Sequence, residues 1–487
     1  MRKSAGWMLF TSAVVVLTSL WVHSACGQVP LVLNELMASN GSTLADPQGQ
    51  YDDWIEIYNG SRSPFDAGGL YLSDDPGNPQ RWRIPTNTPA LTTVPAGGFL
   101  LIWADGQTTD SGLHANFGLD ADGDALYLYD ADGVTLIDGV EFGKQISDVS
   151  LGRYPDATGD WHLLTIPTPG MSNVKPAMGV VSNLRFSHER GFYDAAFDLT
   201  ITCKTPGAEI YYTTDGSRPY LQGGRLPTGT LYTRPIRITR TTCLRAIAVL
   251  QDWVPSPVET QTYLFPANVA QQSAQPAGFP STWGARSADY QMAPAILSNP
   301  QYGNQLRAAL LSLPSMSIVM TNRDLFDSQT GIYANSGNSG VSWERPGSIE
   351  LIYSDGTEGF QADCGVRIQG GYFRQPSAGK KHSFRLLFKG IYGPTKLRYP
   401  LFGDDAAREF DTITLRAGAN DGYIWGGNES NVQYTRDQFM RDLQLGTGNA
   451  ASHGNFVHLY VNGLYWGLYN PCERPDGSFS SSYYGGQ

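Results

Sequence analysis

The sequence predicts a mainly β protein: two antiparallel β-sandwiches followed by an α+β lobe. Three observations carry that expectation. Glycine (55) and proline (30) are plentiful in 487 residues, a turn-rich share that favours many short strands over long helices. From about residue 29 to 265, short alternating or apolar runs are separated by Gly, Asp, Asn and Pro clusters, the pattern of small sandwiches. Beyond residue 288 the order becomes strand, Gly-bearing loop, strand, helix and hairpin. At roughly 100–200 residues per domain, the length allows three.

The chain opens with Arg2 and Lys3 ahead of an apolar run from Trp7 to Val22, then Ala25-Cys26-Gly27. A basic start, a short apolar core and small residues make residues 1–27 a secretory leader cleaved after Gly27. The apolar run falls short of the ~20 residues of a membrane-spanning helix, and no later segment has that character. The mature protein is therefore expected outside the cytoplasm, secreted or at the cell surface. A lipid on Cys26 is the alternative, but His23 stands where a bacterial lipobox has leucine. Net charge is −11, with no run of five or more Lys or Arg. Nucleic acid is thus excluded as the expected partner, since phosphate backbones are held by clustered cations.

Without the leader, Cys203, Cys243, Cys364 and Cys472 remain, two in each later domain. In an oxidising compartment four cysteines allow three pairings. Pairing within domains is the simplest; four buried free thiols are the alternative.

Residues 29–173 form the first sandwich, with LVLNELMASN, DWIEIYN, GLYLSDD, GGFLLIWADG, ALYLYDADG and ISDVSLGRYPD as its strand phrases. NELMASN, DWIEIYN, NFGLDADGDALYLYD and SLGRYPD resemble the lamin-tail domain. That resemblance implies an immunoglobulin-like fold acting as a binding or spacer module, without chemistry of its own. Asp120-Ala121-Asp122-Gly123-Asp124 begins like a calcium loop, but position twelve, which needs a bidentate Glu, is Ala131. The phrase reads as an acidic hairpin turn, and no metal is expected.

A linker, TPGMSNVKPAMG, leads to a second sandwich at residues 180–265. AEIYYTTDGSRPY ends an alternating strand at Asp215-Gly216, a hairpin-type turn. LYTRPIRIT, TTCLRAIAVLQDW and VETQTYLF follow. In this order the phrases resemble the small β-sandwich at the carboxy end of chitobiase-like β-hexosaminidases. In that family the active site lies in another domain, so no catalytic residue carries over. Tyr212, Tyr220 and Trp253 are candidate sugar-facing aromatics; internal packing is the alternative. Cys203 and Cys243 each fall in a strand, which makes a sheet-to-sheet disulfide reasonable. Both sandwiches are expected to fold independently. Residues 266–287, rich in Gln, Ala, Ser and Pro, are a linker or wrapped arm.

The third domain spans residues 288–487. In SWERPGSIELIYSDG, Ile349, Leu351 and Tyr353 share one face by period-2 alternation. VRIQGGYFRQPSAGKKHSFRLLF reads as strand, Gly-bearing loop and a second strand reached through Lys380 and Lys381. In YTRDQFMRDLQL, Phe439, Met440 and Leu443 fall at helical spacing. FVHLYVNGLYWGLYNPCERPDGSF reads as a hairpin about Asn462-Gly463, which suits a type I′ turn.

Five phrases in order, RIQGG, KKHSFRL, YPLFGDD, LRAGANDG and NGLYWGLYNPCE, resemble the CotH family of spore-coat and secreted kinase-like proteins. The resemblance implies the amino-terminal lobe of a kinase-like fold. In the full-length protein it implies phosphoryl transfer from ATP, with Mg2+, to extracytoplasmic protein. The nucleotide-binding candidates are Gly370 and Gly371 with Arg374, a loop whose backbone can approach phosphates. Lys381 joins them, on a strand face with Ser383 and Arg385, while Lys380 lies on the opposite register. Glu473 follows the hairpin at the hinge position, in reach of an adenine or a structural partner. Two departures from the kinase pattern stand out. The helix offers Asp437 and Asp442 but no Glu to pair with the lysine. The catalytic Asp and metal acids of such proteins follow the hinge, and this sequence ends fourteen residues after Glu473. The lobe is therefore expected to be incomplete, with no catalytic residue in this chain.

Other chemistries are poorly signalled. His453 and His458 lie close together without a C-x-x-C, which does not make a zinc motif, and there is no G-x-S-x-G elbow. The expected partner is an extracytoplasmic protein or polysaccharide. The alternative function is that of a non-catalytic surface or matrix protein. Amino-terminal sequencing of exported material is expected to start at Gln28; recovery of Met1, or of diacylglycerol on Cys26, would overturn the leader.

Overall fold

In the computed structural model, which describes residues 29–219, 227–422 and 431–485, the elements are almost all strands. The expected leader with Cys26, and Tyr220, lie outside the described residues. The chain divides into two compact units, residues 1–177 and 178–487.

The first unit holds β1 (Leu31–Met37), β2 (Asp53–Asn59), β3 (Tyr71–Ser73), β4 (Trp82–Arg83), β5 (Phe99–Ala104), β6 (His114–Ala115), β7 (Gly123–Tyr129), β8 (Leu136–Gly143), β9 (Ser150–Tyr154) and β10 (Asp160–Leu164). They make a six-stranded sheet, β10-β9-β1-β2-β5-β6, and a four-stranded sheet, β8-β7-β3-β4. Leu33, Ile55, Ile57 and Ile102 meet Leu72, Leu126 and Leu128 in one buried cluster, each side chain contributing roughly 1.5–3 kcal/mol by leaving water. β1 and β2 also bury polar groups: Asn34, Glu35 and Glu56 are inaccessible to solvent.

The stretch that reads as a linker explains this burial. The Thr168 N–H and hydroxyl donate to Glu35, Gly170 N donates to Glu56 Oε2 at 2.5 Å, and Asn173 Nδ2 donates to Asn34 O. Its first half is a strap across the sheet. Burial under it pushes the Glu56 carboxyl up to about 8 and raises that of Glu35. The Asp120–Asp124 phrase turns its acids on its own backbone. Asp120 Oδ1 accepts from Asp122 N and Asp124 Oδ2 from Asp120 N, an Asx-type turn into β7.

In the second unit, β11 (Gly191–Phe192), β12 (Glu209–Thr213), β13 (Thr230–Leu231), β14 (Thr242–Val249) and β15 (Glu259–Leu264) form a sheet ordered β11-β15-β14-β12-β13. It packs with two strand pairs, 184–186 with 201–203 and 197–199 with 236–238, around Leu199, Ile201, Ile210, Leu244 and Tyr263. Gly216 takes φ +84° as expected of a turn, but Tyr211 and Tyr212 pair with Leu231 and Thr230, so Asp215-Gly216 is not a two-residue hairpin. Tyr212 and Trp253 pack against the sandwich core rather than standing free.

Residues 315–473 close a seven-stranded barrel. Its strands are β16 (Ser315–Val319), β17 (Arg345–Ile352), β18 (Phe360–Gln369), β19 (Ser383–Leu387), β20 (Thr412–Arg416), β21 (Val457–Val461) and β22 (Leu464–Glu473). They follow the order β16-β17-β18-β19-β20-β22-β21, and a parallel pairing of β21 with β16 completes the ring. Two helices matter here: α1 (Pro300–Ser312) before the barrel and α2 (Arg436–Gly446) between β20 and β21. Strand, Gly loop, strand, helix and hairpin thus occur in the expected order. The closure into a barrel is what the local pattern did not tell. Asn462 and Gly463 take φ +48° and +78°, the two positive values a type I′ turn requires. Ile349 and Leu351 point into the core, with Tyr353 packed against it.

The sandwich at 180–265 does not stand apart from this barrel. The outward positions of β17 and β18 carry Glu350 and Asp363, and the sandwich takes both. Thr262 N donates to Glu350 Oε1 at 3.0 Å, its hydroxyl donates to Oε2, and Arg190 lies 3.7 Å away. Arg218 and Arg245 reach Asp363 at 2.5 and 3.1 Å. Gly216 seats so close that a Cβ would stand 2.3 Å from Met320 O. Against the expectation of independent folding, the sandwich shares buried ionic groups with the barrel.

The four cysteines are free thiols here, so the expected pairings are not formed. Cys203 Sγ bonds Ser182 O, whereas Cys243 Sγ lies 3.5 Å from the Thr262 hydroxyl oxygen. Cys364 lies in the barrel core, while Cys472 sits by the cations of Arg441 and Arg416, which oppose the upward push of burial on its thiol. Each pair is thus split between environments. Asp363→Ala should lower the unfolding free energy by about 3–5 kcal/mol, because it strands the buried Arg245 charge. Adding Arg245→Met should restore part of that loss in chemical denaturation of the full chain. An Asp363→Ala loss below about 1 kcal/mol, the range of an exposed ion pair, would show the contact to be superficial.

Candidate functional site

Gly370, Gly371, Arg374 and Lys381 lie in the segment between β18 and β19, whereas Glu473 ends β22. Gly370 has φ +127°, a region open to glycine alone at little cost, and Gly371 is exposed with nothing near a notional Cβ. A single 3-10 turn, Tyr372–Arg374, follows. Arg374 Nε is buried and makes no hydrogen bond. The loop thus combines two exposed glycines with one buried guanidinium N–H that lacks an acceptor.

Lys381 is placed differently from its register. It precedes β19, and its Nζ donates to Asp289 O at 2.9 Å. It lies 3.9 Å from the Trp466 ring centre and 4.9 Å from that of Trp283. The stretch 266–287 supplies Trp283, the residues just after it supply Asp289 and Tyr290, and Trp283 N–H donates to the Tyr290 hydroxyl at 2.8 Å. What reads as a linker or arm is an arm, and its aromatics belong to the barrel core. The ammonium is held between two ring faces, a cation–π arrangement. Burial pushes its pKa down to about 7, with Asp289 opposing that shift and Lys380 adding to it. Lys380 stays outside, 3.5 Å from the Asp289 carboxylate.

Arg385 lies on the barrel exterior instead. Its Nε donates to Thr412 Oγ1 at 2.9 Å, and its guanidinium is 3.8 Å from Asp476, which Arg474 approaches at 3.3 Å. Across the ladder it faces Arg367, which pairs with the buried Glu344 at 2.5 Å, as does Lys389 at 2.8 Å. Lys381 and Arg385 thus serve separate environments.

Glu473 is buried at 4 % exposure and fully engaged. Its Oε2 accepts from His453 N and faces His453 Nδ1, both at 2.8 Å, and its Oε1 accepts from the Tyr483 hydroxyl at 2.6 Å. Of its two sequence readings, this geometry is that of the structural partner. The acids of α2 are also committed. Asp437 pairs with Arg416 at 2.6 Å and Arg441 at 3.0 Å, and Asp442 accepts from Gln438. An acid on this helix holds an arginine of β20, not Lys381. Phe439, Met440 and Leu443, at helical spacing, are 58, 59 and 50 % exposed.

His453 and His458 part company as well, the second bonding Tyr465 and Ala309 O. The sequence reading passed over a different group in the first unit: Asp46, Asp105 and His114, whose ligand atoms lie within 4.8 Å of one another. Their spacing follows no motif, because loops on two sides of a sheet edge bring them together.

The depressed Lys381 pKa has a defined consequence. The folded state binds fewer protons than the unfolded between about pH 7 and the unperturbed lysine range, so stability from this group grows as pH rises through that window and is lost below it. Denaturation of the parent and of Lys381→Met at pH 6 and pH 9 should show the parent gaining relative to the variant at the higher pH. Parallel pH profiles would mean that the lysine is not desolvated.

Three family models match the chain. The Lamin Tail Domain covers residues 26–144, Fn3 associated covers 199–263, and CotH kinase protein covers 366–485. The first match stops before β9 and β10, which complete the six-stranded sheet. The second falls on the sandwich that resembles the chitobiase type. No curated protein matches. Matched in this order, the chain is a multidomain protein that combines a lamin-tail segment, an Fn3-associated segment and a CotH kinase-related region.

Proposed function

We propose that the CotH-related region is the nucleotide-handling lobe of a protein kinase acting outside the cytoplasm, with the two sandwiches as targeting or binding modules. What carries this reading is the CotH kinase match over residues 366–485, which opens on the strand feeding the Gly370-Gly371 loop. ATP supplies the transferable phosphoryl group and Mg2+ neutralises charge on its phosphates. The residues that fit the phosphates are the exposed Gly370 and Gly371 backbone and Arg374, whose Nε lacks an acceptor. Lys381 joins them only by giving up Asp289 O and the two indole faces. Glu473 does not fit an adenine contact, since both its oxygens are taken.

A second reading, a non-catalytic surface or matrix protein, is favoured by one specific observation. Lys381 and Glu473, two of the groups a nucleotide would recruit, are spent on the barrel's own stability. No helix among the described residues is long and apolar enough to cross a membrane, which is compatible with either reading.

Calorimetric titration of the full-length protein with Mg-ATP separates them. Arg374→Ala should weaken binding roughly ten- to hundredfold, the loss of one charge-assisted contact of about 1.5–3 kcal/mol. Lys381→Ala, checked for folding by circular dichroism, should weaken it similarly if the lysine leaves its aromatic box. Unchanged affinity in both variants would remove these cations from the site. Absence of binding in the parent would leave the matrix-protein reading.

A further inference from the structure

The group at Asp46, Asp105 and His114 lies at one edge of the six-stranded sheet, where β5 pairs with β6 and Trp103 stands opposite His114. Each of the three has one polar atom fixed by its own loop and a second that faces the others. Asp46 Oδ1 accepts from Gln48 N at 2.9 Å and Gln50 N at 2.6 Å. Asp105 Oδ1 accepts from Gln107 N at 2.8 Å. His114 Nε2 faces Ser111 O at 3.2 Å, a carbonyl that can only accept, so this nitrogen carries a proton and Nδ1 presents the lone pair in the neutral ring. Nδ1 then lies 2.7 Å from Asp105 Oδ2, two acceptors face to face. A proton or a cation must stand between them.

Asp46 decides for a cation. Its side chain is 5 % exposed, yet Oδ2 has no donor at all. A buried carboxylate oxygen without a partner is costly. Asp52 Oδ2, nearby, is buried and unpartnered too. Three carboxylates and one imidazole make a net negative group, in which the far atoms of Asp46, Asp105 and His114 are held by backbone. Metal ligands are commonly oriented from behind in this way.

We propose that Asp46, Asp105 and His114 bind a divalent first-row transition ion, with zinc the best fit, which clamps the 46–52 loop to the 105–114 loop. The donor set selects the ion. Imidazole suits zinc and its neighbours, whereas calcium takes oxygen ligands in larger numbers. Ligands about 2.1 Å from a tetrahedral ion stand roughly 3.4 Å apart. Binding therefore opens the His114–Asp105 contact slightly and draws Asp46 in from within 4.8 Å. The fourth position falls to Asp52 or to water. Gly112 leaves the ring its space, since a Cβ there would stand 3.2 Å from Nε2.

The test uses the full-length protein, stripped with chelator, and zinc chloride, calcium chloride and cobalt chloride as probes. Calorimetry should show one zinc site per chain whose affinity falls roughly ten- to hundredfold or more in Asp46→Asn and in His114→Gln. Zinc should also raise the melting temperature of the parent and not of the variants. Should either variant misfold, cobalt loaded into the parent gives a second reading: visible absorption of a tetrahedral site supports the assignment, and its absence overturns it. Zinc binding that survives equally in both folded variants would also overturn it. So would a thermal shift with calcium alone, which would deny the imidazole its role.

Discussion

The parallel pairing of β21 with β16 is the constraint on which the second unit turns. A sheet of seven strands left open would expose two edges and an aromatic floor. Joining Ser315–Ile318 to His458–Val461 removes both edges and leaves one interior to be filled. The filling is aromatic: Trp283, Tyr290, Phe326, Tyr333, Phe384, Trp466 and Tyr469 are all part of one buried cluster. Trp283 and Tyr290 come from the arm ahead of the barrel, so closure fixes the arm as well. The Asn462-Gly463 turn then does more than reverse the chain. Asn462 Oδ1 accepts from Met320 N and its Nδ2 donates to Asn322, which ties the end of β16 to the hairpin that closes on it.

Once the ring is shut, its outer face needs a cover for whatever is not wettable. On β17 the alternation that sends Ile349 and Leu351 inward sends Ser348 and Glu350 outward, and Glu350 is nonetheless inaccessible to solvent. The sandwich covers it and provides Thr262 and Arg190 in return, just as Arg218 and Arg245 answer Asp363. Buried ion pairs of this kind contribute little net stability over an apolar interface but penalise misdocking heavily. They fix which face of the sandwich meets which strands, a registration role that apolar contact alone, such as Leu264 with Ile352 and Tyr460, performs less sharply.

Much of this was legible from residues close in sequence. Period-2 alternation gave the strands and the inward faces of β17 and β19, and Asn-Gly gave the hairpin, because those features are set within a few residues. The Gly370 loop was read for the same reason. What escaped depends on distant partners. Lys381 reads as a strand-face cation by register, yet Trp283 and Trp466 capture it from the arm and from the last strand. Glu473 reads as a hinge acid, yet His453 and Tyr483 enclose it. The cysteines read as pairs because each later domain holds two, but the members of each pair sit in different surroundings. Asp46, Asp105 and His114 carry no motif at all. The parallel contact of β5 with a two-residue strand that composition does not mark brings Asp105 and His114 together, and a separate loop carries Asp46 to them.

The placement of Lys381 bears on how a kinase-related lobe could work here. In the protein-kinase scheme the strand lysine is held ready by an acid on the following helix, so that it can meet phosphates at once. In this barrel the helix acid Asp437 is bound to Arg416 and Arg441, and the lysine is bound to two indoles and a carbonyl. An ammonium desolvated in this way is easier to deprotonate and harder to present to an anion, since burial favours its neutral form. A nucleotide that used Lys381 would first have to replace the indole faces with its own phosphate oxygens. That exchange is favourable only where the phosphates are themselves shielded from water, because an exposed phosphate would leave the cation better solvated than bound. Arg374 needs no such exchange, being short of an acceptor already. The two cations therefore differ in what holds them: Arg374 Nε is buried without an acceptor, whereas Lys381 is held by a backbone carbonyl and two indole faces.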